Sequence, residues 1–277
     1  MLRACVIGWP VEHSRSPIIH GYWLQQYGID GAYEKEAVAP EALAEFLGSL
    51  WRRGYVGANV TLPHKEAALR AARSADEAAV TIGAANTLWI DPDGALHASN
   101  TDAYGFMTNL EAEAPQWKEG PRPVMVLGAG GAARAILFGL IEAGATKVLL
   151  ANRTRPRGEA LAAAYGPSVE IVDWEKRSEA LAACGLLINT TNLGMTGQAP
   201  LEIDLAALPA DAVVADIVYN PLETPLLAAA RARGLATVDG LGMLLHQAVP
   251  GFERWFGVRP EVTADLKARV VATLGAQ

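Results

Sequence analysis

The chain has 277 residues, enough for two domains of ordinary size. Hydrophobic residues make up 51% and charged ones 19%, with only two cysteines, which excludes disordered, fibrous and disulfide-dense classes. A net charge of −7 argues against a nucleic-acid partner, whose phosphates need a positive field, while leaving room for a local basic pocket.

The apolar start, Met1 to Gly8, stops at Trp9-Pro10 and is too short for a secretory core. No apolar run reaches the ~18–20 residues of a membrane helix, so a cytoplasmic protein without a membrane partner is expected. Cys5 and Cys184 lie in strand-like apolar runs and read as small buried hydrophobes.

Strand-like runs alternate with helical patterns along most of the chain, the signature of α/β architecture with parallel strands. Strands are predicted at Arg3–Gly8, Ala32–Val38 and Tyr55–Val60, separated by helices over Pro17–Tyr27, Pro40–Trp51 and Pro63–Ala72. Each helix carries proline at or near its first turn, where the missing N–H does no harm. Asn86–Ile90 and Ala95–Ser99 flank Asp91-Pro92-Asp93-Gly94 and read as a hairpin. The polar stretch Glu111 to Pro123 reads as a boundary loop. Beyond it, strands are predicted at Pro123–Leu127, Lys147–Ala151, Val169–Val172, Leu186–Asn189, Val213–Ile217 and Ala236–Val238. The final helices, Gly240–Phe256 and Glu261–Leu274, have no strand partner, as if the chain left one domain, built a second and returned.

The motif Leu127-Gly128-Ala129-Gly130-Gly131-Ala132-Ala133 joins an apolar strand to an apolar helix. Gly128 suits a tight turn, Gly130 a close approach of backbone to a pyrophosphate, and Ala133 close packing of helix on strand. The free N–H groups of the helix end favour the anion. A dinucleotide is therefore expected here. The next strand ends at Asn152-Arg153-Thr154, with Arg155 and Arg157 following, where an NAD enzyme places an acid for the ribose hydroxyl. Guanidinium groups there suit a 2′-phosphate, and so NADP, against the alternative of a solvated basic loop. The loop Asn189-Thr190-Thr191-Asn192-Leu193-Gly194-Met195 either lines the cofactor or is a turn of the Asx type.

A second set of polar residues lies outside this segment. Ser14 and Ser16, before the first helix, either bind a carboxylate or cap the helix. Lys65, in Asn59-Val60-Thr61-Leu62-Pro63-His64-Lys65, falls in the first turn of its helix, where the dipole disfavours a cation. A partly desolvated ammonium there would donate a proton to a carbonyl oxygen; the alternative is a surface lysine. Asp102 either caps the following helix or faces Lys65, and the Asn86 amide suits a polyol. The five histidines show no metal-ligand spacing, and no metal is expected.

With Ser14-Arg15-Ser16-Pro17, Asn59 to Lys65, Gly83-Ala84-Ala85-Asn86-Thr87 and Asn100-Thr101-Asp102 in order, the chain resembles the shikimate dehydrogenase family over essentially its whole length. Gly128 to Ala132, Asn152-Arg153-Thr154, Asp216 to Pro221 and Asp239 to Gln247 extend the match. The resemblance implies reversible reduction of 3-dehydroshikimate to shikimate by NADPH, in aromatic amino-acid biosynthesis. It implies a Rossmann-type doubly wound parallel sheet domain over 103–239 and a substrate domain with a mixed sheet over 1–102 and 240–277, with a cleft between them. By the same resemblance Ser14 and Ser16 bind the substrate carboxylate with Tyr219 nearby, and Thr61, Asn86, Asp102 and Gln247 hold hydroxyls. Lys65, paired with Asp102, moves the proton. Gly128, Ala129, Gly130, Gly131, Ala132, Asn152, Arg153, Thr154, Arg157 and Thr190 fall to the cofactor, and Glu77, Ile217 and Gly240 to its nicotinamide end. The loop at Asn189 to Asn192 departs from the usual Asn-Ala-Thr-Ser, and Ile217 stands where methionine is common. The rival readings are an NAD-preferring quinate/shikimate dehydrogenase, a non-catalytic NADPH sensor and a methylene-tetrahydrofolate dehydrogenase; the chain itself is expected to be a monomer or a homodimer.

Overall fold

The computed structural model describes residues 1–274. The chain divides into two compact units, Met1–Asp102 plus the chain from Leu245 onward, and Ala103–Leu244. The first contains β1 (Leu2–Gly8), α1 (Ser16–Gln26), β2 (Gly31–Ala37), α2 (Leu43–Ser49), β3 (Tyr55–Val60), α3 (Lys65–Ala71), β4 (Ser74–Ala75), α4 (Glu77–Ile82), β5 (Thr87–Ile90) and β6 (Leu96–Ser99). The second begins within α5 (Asp102–Glu113) and runs through β7 (Val124–Leu127), α6 (Gly131–Glu142), β8 (Val148–Ala151), α7 (Arg155–Tyr165) and β9 (Val169–Val172). It continues with α8 (Arg177–Ala180), β10 (Leu186–Asn189), β11 (Val213–Asp216), α9 (Pro225–Ala232), β12 (Ala236–Val238) and most of α10 (Gly240–His246). The chain then returns to the first unit with α11 (Val249–Phe256) and α12 (Ala264–Val271).

The first sheet is mixed, in the order β2-β1-β3-β5-β6-β4. β1 lies parallel to β2 and β3, while β5 runs antiparallel to β3 and β6 as the predicted hairpin. The second sheet is wholly parallel, in the order β12-β11-β10-β7-β8-β9, the doubly wound arrangement whose direction reverses between β7 and β10. Its four inner strands, β11, β10, β7 and β8, are buried on both faces. Val124, Val126, Leu150 and Ile188 enter one core, and Met125, Leu127, Leu149 and Leu187 the other, as the two-residue period of a strand requires. Among the described residues no helix is long and apolar enough to cross a membrane.

Several boundaries differ from those predicted. The second crossing between units falls at Leu245, not Gly240. Met243 packs on a core of the second unit, and a Cβ at Gly242 would collide with the Asn109 amide, which holds the start of α10 there. The single helix predicted over Gly240–Phe256 is two, because Pro250 has no N–H to continue the ladder to His246. The last helix starts at Ala264 because Thr263 caps it, accepting from the Leu266 N–H at 3.2 Å. The segment Pro40–Trp51 opens with a 3₁₀ turn, Pro40–Ala42, and is α-helical only over α2. The sequence reading missed β4 and α4; the latter is capped by Asp76, which accepts from Ala79 N–H at 2.8 Å.

α11 packs against the first sheet through Trp255, whose indole N–H donates to the Leu88 carbonyl at 2.9 Å in full burial. Gly57 on β3 leaves the space for that indole: a Cβ there would fall on both Trp255 Nε1 and the Leu88 oxygen. Gly57→Ala is therefore expected to cost about 1–3 kcal/mol by overpacking. Urea unfolding checks this, and part of the loss should vanish when the same change is made in a Trp255→Phe background.

Asp216, at the end of β11, is buried. It accepts from Asn189 Nδ2 at 2.9 Å, Val218 N–H at 3.0 Å and the Thr224 hydroxyl at 2.8 Å. Burial nevertheless raises its pKa from the ordinary 3.8 to about 6, the three donors opposing the shift. A pKa raised in the folded state means that the protonated form stabilises the fold. That contribution is complete below pH ~4 and is lost as pH rises through about 6. Asp216→Asn should thus gain on the parent by up to about 3 kcal/mol between pH 4 and pH 7, read from urea midpoints across that range.

Candidate active site

Within the first unit, the end of β3 and the start of α3 place the residues singled out by sequence. Thr61 N–H donates to the Ile7 carbonyl at 2.9 Å, and His64 N–H closes a turn on the Thr61 carbonyl at 3.0 Å. The buried His64 ring, with Nε2 2.7 Å from the Val38 carbonyl, pins that turn to the sheet. α3 then opens at Lys65, two residues after the expected Pro63. Lys65 Nζ donates to Asp102 Oδ2 at 2.5 Å, with side-chain exposures of 29% and 14%, so the pair is partly desolvated but still open to a ligand.

Asn86 holds the other oxygen of that carboxylate. Its Nδ2 donates to Asp102 Oδ1 at 2.8 Å and lies 3.4 Å from Gln247 Oε1. Its Oδ1 accepts from Thr101 N–H at 2.8 Å and from the Thr87 hydroxyl at 3.0 Å. The amide cannot flip without opposing its nitrogen to an N–H donor, so Nδ2 must face Asp102. Thr101 also bonds the Gln247 carbonyl at 2.8 Å, tying the returning chain to the cluster. Below it, Asn59 accepts from the Tyr33 hydroxyl at 2.6 Å and donates to the Asn86 carbonyl at 3.2 Å. Both oxygens of Asp102 are thus engaged, by Lys65 and by Asn86, while the residue also stands as the first-turn acid of α5.

Ser14 Oγ accepts from Ser16 N–H at 3.3 Å, and the cap position of α1 belongs to Arg15, which makes no side-chain cap bond. Glu77 opens α4 in the first unit, and Tyr219 follows β11 in the second. Thr87, Thr101, Asn59 and Tyr33 received no role from the sequence, although the first three stand inside the motifs that carried the others.

In the second unit a cavity of about 300 Å³ spans four adjacent strand ends. Gly128, Ala129 and Gly130 line it after β7, Asn152, Arg153, Thr154 and Arg157 after β8, Thr190 to Leu193 after β10, and Trp174 after β9. Gly128 has φ +106°, and a Cβ would press to 2.7 Å from Thr190 Oγ1, so no other residue fits the turn. A Cβ at Gly130 or Gly131 would meet nothing within 4 Å, and α6 starts there without a side-chain cap. Open space over uncapped N–H groups is what a pyrophosphate needs, so the residues present fit a dinucleotide.

The arginines separate clearly. Arg155 is ion-paired with Glu159 at 2.7 Å and with Asp173, whereas Arg153 and Arg157 make no ion pair among the described residues and line the cavity. Asn189 accepts from Thr191 N–H at 3.0 Å in an Asx-type turn, and the same loop lines the cavity. Ala132, Gly131, Ile217 and Gly240 lie outside the cavity lining. Gly240 instead allows its chain to press on the Ile217 carbonyl, with which a Cβ would collide. Sequence reading missed Trp174; the available signal was an aromatic residue just past the strand that neighbours β8.

Three family models match the chain. The shikimate dehydrogenase substrate binding domain covers residues 6–88, the shikimate / quinate 5-dehydrogenase domain 113–195, and the shikimate 5'-dehydrogenase C-terminal domain 240–268. The NADP(+) shikimate dehydrogenase of Azorhizobium caulinodans is 56% identical over 277 residues, all of this chain and 98% of the relative. That of Rhodopseudomonas palustris is 59% identical over 98% of this chain and 96% of its own. Among solved structures, shikimate 5-dehydrogenase from Thermus thermophilus in complex with NADP(H) and shikimate matches with TM-score 0.87 and 38% identity, over 99% of this chain and 100% of that one. Quinate dehydrogenase from Corynebacterium glutamicum in complex with NAD matches with TM-score 0.89 and 31% identity, over 100% and 99%. The chain belongs to the shikimate dehydrogenase family.

Proposed function

We propose that this chain catalyses the reversible, NADP-dependent reduction of 3-dehydroshikimate to shikimate. The observation that carries the reading is the Lys65–Asp102 pair, held by an Asn86 amide whose orientation is fixed by Thr87 and Thr101. A sensor that only binds NADPH needs no such proton-carrying pair.

Bound NADPH supplies the hydride that reduces the ketone carbon. Lys65 Nζ gives a proton to the ketone oxygen in that direction and takes it from the hydroxyl in reverse. Asp102 holds the ammonium in place and, with Asn86, Gln247 and Thr61, accepts or donates to the neighbouring substrate hydroxyls. Ser14 and Ser16, before α1, bind the substrate carboxylate, and Tyr219 is assigned to that same end. In the second unit Gly128 to Ala132 and Thr190 hold the pyrophosphate portion, and Asn152, Arg153, Thr154 and Arg157 the 2′-phosphoribose. Glu77, Ile217 and Gly240 are assigned to the nicotinamide end. NADP is favoured over NAD because Arg153 and Arg157 line the cavity without an ion pair among the described residues, and a 2′-phosphate suits such guanidinium groups.

Lys65→Ala is expected to lower kcat by about 10²–10⁴-fold while leaving KM within a few fold, the pattern of a transition-state interaction lost. Steady-state kinetics with shikimate and NADP measure this, and unchanged turnover would refute the acid–base role. Comparing kcat/KM for shikimate and quinate, each with NADP and NAD, is expected to favour shikimate with NADP. Replacing Arg153 and Arg157 by serine should reduce the preference for NADP over NAD by about tenfold or more, at 1.5–3 kcal/mol per charged hydrogen bond lost; a preference for NAD in the parent would overturn the cofactor assignment.

A further inference from the structure

The cavity of the second unit contains one aromatic side chain among its lining residues, Trp174, and none of the glycine-turn or arginine arguments uses it. Its place follows from register. Ala151 on β8 pairs with Val172 on β9, so the chain leaving β9 passes Asp173 and Trp174 beside the chain leaving β8 at Asn152 and Arg153. Across the sheet the order is β10, β7, β8, β9. The glycine turn after β7 takes the pyrophosphate and the basic residues after β8 the 2′-phosphoribose. The strand end beyond them is therefore where the base attached to that ribose must lie.

The indole is also held rigidly. The Arg177 guanidinium stacks on it at 4.3 Å, and that same guanidinium donates to the Trp174 carbonyl and, at 2.5 Å, to the Glu202 carbonyl. Arg177 Nε is buried without a hydrogen-bond partner, so the side chain is placed over the ring at the expense of one donor. On the other flank Asp173 is tied to Arg155, which is thereby withdrawn from the phosphate. A half-buried indole clamped by a cation and lining the cavity is a built platform for a flat aromatic ring.

Resting on the NADP reading above, we propose that Trp174 is the residue that binds the adenine of the cofactor, and that Arg177 is a positioning residue acting through it. Cofactor affinity then has two separable parts, a charge part at Arg153 and Arg157 and a stacking part at Trp174, and shikimate binding depends on neither.

The test is calorimetric titration of the full chain with NADP, with adenosine 2′,5′-bisphosphate and with nicotinamide mononucleotide. Trp174→Leu keeps apolar volume but removes the π surface. It is expected to weaken NADP and adenosine 2′,5′-bisphosphate alike, by about tenfold, within the range measured for base–aromatic stacking. Affinity for nicotinamide mononucleotide and the KM for shikimate should stay as in the parent. Trp174→Phe should recover most of the loss. Arg177→Met should give a smaller loss for the same two adenosine ligands. Quenching of indole fluorescence by adenosine 2′,5′-bisphosphate should fall in Trp174→Phe, although six other tryptophans remain of the seven. Parental affinity of Trp174→Leu for adenosine 2′,5′-bisphosphate would overturn the proposal, as would equal losses for nicotinamide mononucleotide. A parent chain that binds neither NADP nor adenosine 2′,5′-bisphosphate would instead overturn the cofactor reading on which it rests.

Discussion

The amide oxygen of Asn86 accepts from the Thr101 backbone N–H and the Thr87 hydroxyl, and the first unit's polar cluster is arranged around the orientation they impose. With a backbone N–H and a hydroxyl on the oxygen, the nitrogen has one way to face, toward Asp102. One Asp102 oxygen is then taken by the amide and the other by Lys65, so the lysine is held by a carboxylate that cannot swing away. Each of these groups comes from a different element: Lys65 from the start of α3, Asn86 from the loop before β5, Asp102 from the start of α5, and Gln247 from the returning chain. A polar cluster assembled from such distant segments keeps its geometry only if every member is satisfied, because a half-satisfied buried network costs more than an apolar one.

The second unit solves a different problem with the same economy of means. Strands buried on both faces leave no polar surface except at their ends, and the doubly wound order brings four carboxyl ends side by side. Each end then contributes one kind of interaction to the cavity: bare backbone after β7, charge after β8, hydroxyls after β10, an aromatic ring after β9. The glycine at 128 is required twice over, by its positive φ and by the Thr190 hydroxyl that occupies the place of a Cβ. Thr190 is itself fixed by donating to the Leu127 carbonyl at 2.6 Å. Turn and neighbouring loop therefore define each other.

Much of this was legible in the residues, and the reasons for success and failure are physical. Apolar runs between helical patterns located the parallel strands because burial on both faces leaves a continuous hydrophobic signature, as in Leu186–Asn189. The glycine motif located its turn because positive φ and close approach both demand glycine. The helix ends were read less well. Pro63 looked like a first-turn residue, but a turn closed on Thr61 intervenes before Lys65, and only the hydrogen bonds distinguish the two. β4 has two residues and so no period to detect. Thr87 and Thr101 were adjacent to residues already singled out, yet a threonine carries no sequence mark of whether its hydroxyl turns outward or onto a neighbour's amide. Trp174 was missed for a related reason: an aromatic residue just past a strand gains meaning only from the strand order, which places β9 beside β8.

The arginines after β8 show what sequence counts leave undecided. Three of them stand within five residues, and by number alone the segment is a basic loop. The fold separates them. Arg155 is neutralised by Glu159 and Asp173, and an arginine so paired has little to offer an incoming phosphate. Arg153 and Arg157 line the cavity without an acid of their own among the described residues. Solved relatives with this fold carry NAD in one case and NADP in another, so architecture does not choose between them. The choice lies in which guanidinium groups the protein has left uncompensated. Two exposed guanidinium groups without an ion pair among the described residues gain most from the ligand that carries the extra dianion.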